Sequence, residues 1–198
     1  MSQELTQIFG SNTKAQEIIL LLNEAKEVVR QGFYDSELYK VEKFCKDNHI
    51  YVVKSKFKVL FADDYSGNYS NKGIRIPEDD SRQGMYFIYL SKDEQKAWLA
   101  AYYELMSNDS ELGSILGYPK CCVNYFLNNF SKDNPNPEQI GNNPYTNISK
   151  RNKDLVLISH FPCNSECKES TELARNNLMV LKVNWPDRAA ELISELKY

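Results

Sequence analysis

The chain has 198 residues, 42% hydrophobic and 26% charged, with a formal net charge of −3. A chain of this size and make-up buries enough surface to fold without disulfides. Its charge disfavours a dedicated nucleic-acid binder, which needs concentrated Lys and Arg. The longest apolar run, Ile18 to Leu22, is far too short to span a bilayer, and the first twelve residues hold no apolar core of a secretory signal. A cytoplasmic protein without membrane contact is expected, in a compartment where thiols stay reduced.

Residues 13–31 read as a helix, because Ile18, Leu21, Leu22, Ala25, Val28 and Val29 recur at helical spacing and Gly32 follows as a stop. Residues 35–48 read as a second helix, with Leu38, Val41, Phe44 and Cys45 on one stripe. Cys45 has no chemical neighbour there and is taken as a small buried hydrophobe. His49 follows as a surface or helix-capping residue. Residues 51–61 change to period two and predict a half-buried strand with lysines 54, 56 and 58 toward solvent. A solvated edge that discourages pairing explains these lysines better than phosphate contact. Residues 63–72 are loop chemistry, and 74–76 and 85–90 read as further strands of a small antiparallel meander.

A capping box over residues 91–94 opens a helix to about 107, with Trp98, Leu99, Tyr102, Leu105 and Met106 expected to face the core. Residues 109–116 form a short helix ending at Gly117. The next starts at Pro119, expected in the first helical position, and runs to about 130. Residues 131–147 are rich in Asn, Pro and Gly and read as a surface loop. Residues 155–159 lean toward strand, 165–183 are helical with Asn164 or Ser165 as cap, and Pro186 opens a final helix. The fold class is therefore α+β: N-terminal helices with a small antiparallel sheet, and a mainly helical C-terminal half. Residues 1–107 form the helical plus sheet part and 108–198 the cysteine-motif part, unless the two are one continuous domain.

Four of the five cysteines fall in two motifs, Gly-Tyr-Pro-Lys-Cys-Cys at 117–122 and His-Phe-Pro-Cys-Asn-Ser-Glu-Cys at 160–167. Each motif places two thiols at the start of a predicted helix. Free N–H groups and the helix dipole favour negative charge there, which enriches the thiolate. Cys122 shares a stripe with Phe126 and Phe130, and Cys167 with Ala174, Leu178 and Leu181, so both point inward. Cys121 lies about a quarter-turn away from Cys122. Cys163 precedes its helix and is free to point elsewhere.

Three readings of this constellation compete. The first is a metal site formed by three or four of Cys121, Cys122, Cys163 and Cys167, with or without His160 as a ligand, holding an iron–sulfur cluster or zinc. The second is metal-free thiol redox or sulfur-transfer chemistry, and the third is a set of unreactive cysteines in a structural or interaction domain. Cys121 and His160 are the candidates for catalytic roles, with His160 at the rim of the cluster. Cys163-x₃-Cys167 has zinc-ligand spacing. The adjacent pair Cys121–Cys122 argues that not all four thiols reach one ion. Nothing in the sequence identifies a small-molecule or macromolecular substrate: it contains no Walker loop, dinucleotide fingerprint or zinc-protease helix.

The two motifs together, Leu-Gly-Tyr-Pro-Lys-Cys-Cys-Val-Asn-Tyr-Phe at 116–126 and Ser-His-Phe-Pro-Cys-Asn-Ser-Glu-Cys-Lys-Glu-Ser at 159–170, resemble an uncharacterised prokaryotic family, domain of unknown function 483. The resemblance covers roughly residues 110–185. It implies that Gly117, Tyr118, Pro119, Cys121, Cys122, His160, Pro162, Cys163 and Cys167 form one motif set, and it brings no established activity with it.

Overall fold

The computed structural model describes residues 2–61, 73–131, 133–138 and 141–196. In chain order these form α1 (Ser2–Phe9), α2 (Asn12–Leu22), β1 (Val28–Phe33), α3 (Asp35–Asp47), β2 (Tyr51–Phe61), β3 (Gly73–Pro77), β4 (Met85–Ser91), α4 (Glu94–Leu105), α5 (Asp109–Ile115), α6 (Lys120–Asn129), α7 (Lys168–Asn184) and α8 (Pro186–Leu196). The architecture is α+β, with the sheet in the N-terminal half and helices filling the C-terminal half. The chain divides into two compact units: Glu27–Gly117, and Met1–Lys26 together with Tyr118–Tyr198. Among the described residues no helix is long and apolar enough to cross a membrane.

The unit Glu27–Gly117 is built on a sheet of order β1-β4-β2-β3, antiparallel throughout. It is not a meander, because β4 returns between β1 and β2 and leaves β3 at the edge. The ladder between β2 and β4 is interrupted between Lys54 and Lys58. There the Ser55 hydroxyl donates to the Phe57 carbonyl at 2.6 Å and accepts from the Phe87 N–H at 3.1 Å, so the irregular backbone keeps its partners. The lysine face is real for Lys56, but Lys58 is buried, its ammonium donating to the carbonyls of Asp80 and Arg82. The predicted loop at 63–72 lies outside the described residues.

Two helical expectations are corrected here. The helix read over 13–31 ends at Leu22. Asn23 closes it, its side chain donating to the Ile19 carbonyl at 2.8 Å, and Glu24 takes the left-handed conformation at φ +59°. Val28 and Val29 then pair with β4, where β-branched residues pack well. Helix α4 starts one residue after Asp93, whose carboxylate accepts from the Gln95 and Lys96 N–H groups. Its buried face is Ala97, Ala100 and Glu104, while Trp98, Leu99, Tyr102, Leu105 and Met106 are exposed. The physical reason is Glu104. Its carboxylate accepts both donors of the Arg30 fork and the Tyr89 hydroxyl, the latter at 2.9 Å, with Arg75 3.6 Å away. A carboxylate so paired draws its own helix face inward.

In the other unit α1 packs on α2, α2 on α7, and α7 on α8. Helix α1, unforeseen from its polar sequence, buries Leu5 and Phe9. Residues 155–158 are buried but form no strand. Side chains satisfy their carbonyls instead: Gln16 donates to Val156 at 3.1 Å and Asn177 to Leu157 at 2.9 Å. Arg188, almost fully buried on α8, donates to Gln16, Glu191 and the Asp154 carbonyl. These contacts hold the segment that leads into the second cysteine motif.

Candidate metal centre

The first motif is set by a turn and a helix start. Gly117 ends α5 in the left-handed region at φ +75°. Pro119 stands one place before α6 rather than inside it, and its carbonyl accepts from Cys122 and Val123 N–H groups at 2.9 and 3.0 Å. Cys121 and Cys122 therefore occupy the first turn, Cys122 buried and Cys121 half-exposed. The second motif is a tight turn. Asn164 accepts the Glu166 N–H at 2.9 Å on its side chain and the Cys167 N–H at 3.2 Å on its carbonyl. Helix α7 begins only at Lys168, so Cys167, and not Asn164 or Ser165, is the residue at its cap. Thr146 braces the turn from the preceding loop by donating to the Ser165 carbonyl at 2.6 Å.

These two starts meet. The sulfur atoms of Cys121, Cys122, Cys163 and Cys167 all lie within 4.8 Å of one another, with no disulfide among them. Three separations are resolved individually: 3.8 Å for Cys121–Cys122, 3.7 Å for Cys121–Cys167 and 3.6 Å for Cys122–Cys167. Adjacency in the chain does not keep the Cys121 and Cys122 sulfurs apart from the other two. The first turn of α6 splays the neighbouring side chains so that both sulfurs face the same point. Cys45 belongs to the other unit and is fully buried, with its thiol pushed up to about 12 by burial and by Glu42.

Burial acts against ionisation of the two thiols at the start of α6. Burial, then hydrogen bonding with Cys167 and the proximity of Cys122, raises Cys121 well above the ordinary thiol range. Burial pushes Cys122 up to about 12 despite donation from Ser170 and the Cys163 N–H. Cys167 is lowered. Burial opposes this, but Ser170 and the other thiols donate to it. A bound cation would offset the crowding of negative charge that ionising several of these thiols brings.

His160 lies outside the four sulfurs and is buried. It is 5% exposed, its ring tilted against that of Tyr118 with centroids 5.1 Å apart. Its Nε2 is 2.8 Å from the Ser170 hydroxyl, which is in turn 3.1 Å from the Cys122 sulfur. Burial first, then Lys26 and Arg151, lowers its pKa to about 3, so the ring is neutral at physiological pH. Ser170, the link between the two, escaped the sequence reading. Its place at the third residue of a helix headed by Cys167 was the available signal. Phe161 stacks on Phe126, centroids 5.7 Å apart, fastening the second motif to α6.

No curated protein and no solved structure shows significant similarity to the chain. Residues 99–196, which contain both motifs and all four clustered cysteines, match the family described as "Protein of unknown function (DUF483)", and over that span the chain belongs to it.

Proposed function

We propose that this is a metal-binding protein whose centre is a single zinc ion held by the thiolates of Cys121, Cys122, Cys163 and Cys167. The observation that carries this reading is the size of the sulfur cage. A tetrahedral ion with bonds of about 2.3 Å requires ligand atoms about 3.8 Å apart. The resolved separations, 3.6 to 3.8 Å, lie at that edge length, and the fourth sulfur is within 4.8 Å of the others. A polynuclear iron–sulfur cluster interposes sulfide between metals and holds its thiolates farther apart, so the cage favours one ion. A pure thiolate set selects a soft or borderline ion, and zinc needs no redox partner.

Four thiolates close the coordination shell, leaving no position for an activated water. The centre joins the start of α6, the 160–167 turn and the start of α7. His160 acts through Ser170 and touches no thiolate itself, so its role is to position, not to ligate. Elemental analysis after anaerobic purification tests the reading. One zinc per chain is expected, lost on Cys122→Ser or Cys167→Ser and kept on Cys45→Ala. Iron with inorganic sulfide, or no stoichiometric metal, overturns it in favour of a cluster protein or a metal-free thiol protein.

A further inference from the structure

The four ligands are not equivalent. Cys122 is buried and receives the Ser170 hydroxyl at 3.1 Å and the Cys163 N–H at 3.3 Å. Cys167 is buried. Cys163 is half-exposed but receives the Asn164 amide N–H at 3.4 Å. Cys121 is half-exposed, and its sulfur meets two kinds of polar neighbour: the other thiols and the Glu169 carboxylate, 3.8 Å away. Among the described residues no N–H or hydroxyl group donates to it.

Donors stabilise a thiolate and lower its nucleophilicity, and a facing carboxylate does the opposite. With the coordination shell closed, the chemistry left to the centre is that of sulfur. Resting on the zinc reading above, we propose that Cys121 is the nucleophilic thiolate of the centre and that its substrates are soft alkyl electrophiles. A sulfur lone pair of Cys121 forms the new S–C bond as the bond from that carbon to its leaving group breaks. The leaving group departs with the electron pair. The thiol proton has already gone on metal binding, so no proton moves, and neither oxidant nor reductant is needed. The product thioether is uncharged and a weaker ligand than the thiolate it replaces, so alkylation loosens the metal at one corner.

The test uses the full chain carrying stoichiometric zinc and substoichiometric iodoacetamide, with labelled peptides mapped over time. Cys121 should be modified at least about tenfold faster than Cys163, and both before the buried pair. Glu169→Gln, at an exposed side chain, should slow Cys121 several-fold by removing the facing charge. Asn164→Asp keeps the oxygen that accepts the Glu166 N–H but removes the amide donor, so it should speed Cys163 several-fold. In zinc-loaded protein, equal rates at Cys121 and Cys163, or no effect of Glu169→Gln, overturn the proposal and leave the zinc site standing. Protein that holds no stoichiometric zinc sinks the zinc reading and this proposal with it.

Discussion

A serine hydroxyl has one proton, and Ser170 has two neighbours that compete for it, the Cys122 sulfur and His160 Nε2. When Cys122 is a metal-bound thiolate it can only accept, so Ser170 donates to sulfur and His160 must donate from Nε2. That leaves Nδ1 bare, and Nδ1 is buried with no hydrogen-bond partner among the described residues. A bare ring nitrogen is the cheaper orphan, since buried unpaired N–H groups are rarer than unpaired acceptors. Removing such support from a ligand lowers metal affinity by about 10- to 100-fold. Ser170→Ala should show that loss in a chelator competition, and Ser170→Thr should recover most of it. His160 also makes a pH prediction. Its folded pKa is near 3 and its unfolded value near 6.5, so below 6.5 the unfolded chain takes up a proton that the folded chain refuses. Stability contributed by the neutral ring is present above pH 6.5 and falls as pH drops toward 3, by about 1.4 kcal/mol per unit at the steepest. Denaturation midpoints measured across this window should fall less steeply in His160→Gln.

At the scale of elements, what could be read in advance depended on whether local pattern or distant partner decided the outcome. Helices α3, α5, α6 and α8 carry their own signals: apolar stripes, Gly117 as a stop, Pro119 and Pro186 near the starts. The meeting of the two motifs was also legible, because two thiol-bearing helix starts imply a shared charge. The failures have partners far along the chain. Val28 and Val29 satisfy helical spacing as well as a strand, and only pairing with β4 decides between them. Residues 155–158 look like a strand, but among the described residues no neighbouring strand receives them, and side-chain amides take the Val156 and Leu157 carbonyls. The face of α4 was inverted because a mid-helix Glu reads as solvent-facing until Arg30, Arg75 and Tyr89 converge on it. Glu104→Ala should therefore destabilise the Glu27–Gly117 unit by about 2–3 kcal/mol in urea denaturation. The part-exposed arginines keep the loss below that of a fully buried pair. Trp98→Gln, at an exposed position, should change stability by less than about 0.5 kcal/mol.

Across the whole molecule the cysteine cage belongs to one unit and the sheet to the other. On the zinc reading, the metal ties two segments, the start of α6 and the 160–167 turn that runs directly into α7, with Cys122 and Cys163 41 positions apart in the chain. Binding energy of this kind is folding energy for the segments it ties. Stripping the metal with a chelator should raise amide exchange in those segments and leave β1, β2 and β4 protected as before. The central claim is that four sulfurs surround one ion, and zinc-edge X-ray absorption of the anaerobically purified chain tests it most directly. The account predicts a first shell of four sulfur atoms at about 2.3 Å and no second metal nearby. A shell containing nitrogen or oxygen scatterers, or fewer than four sulfurs, would contradict it.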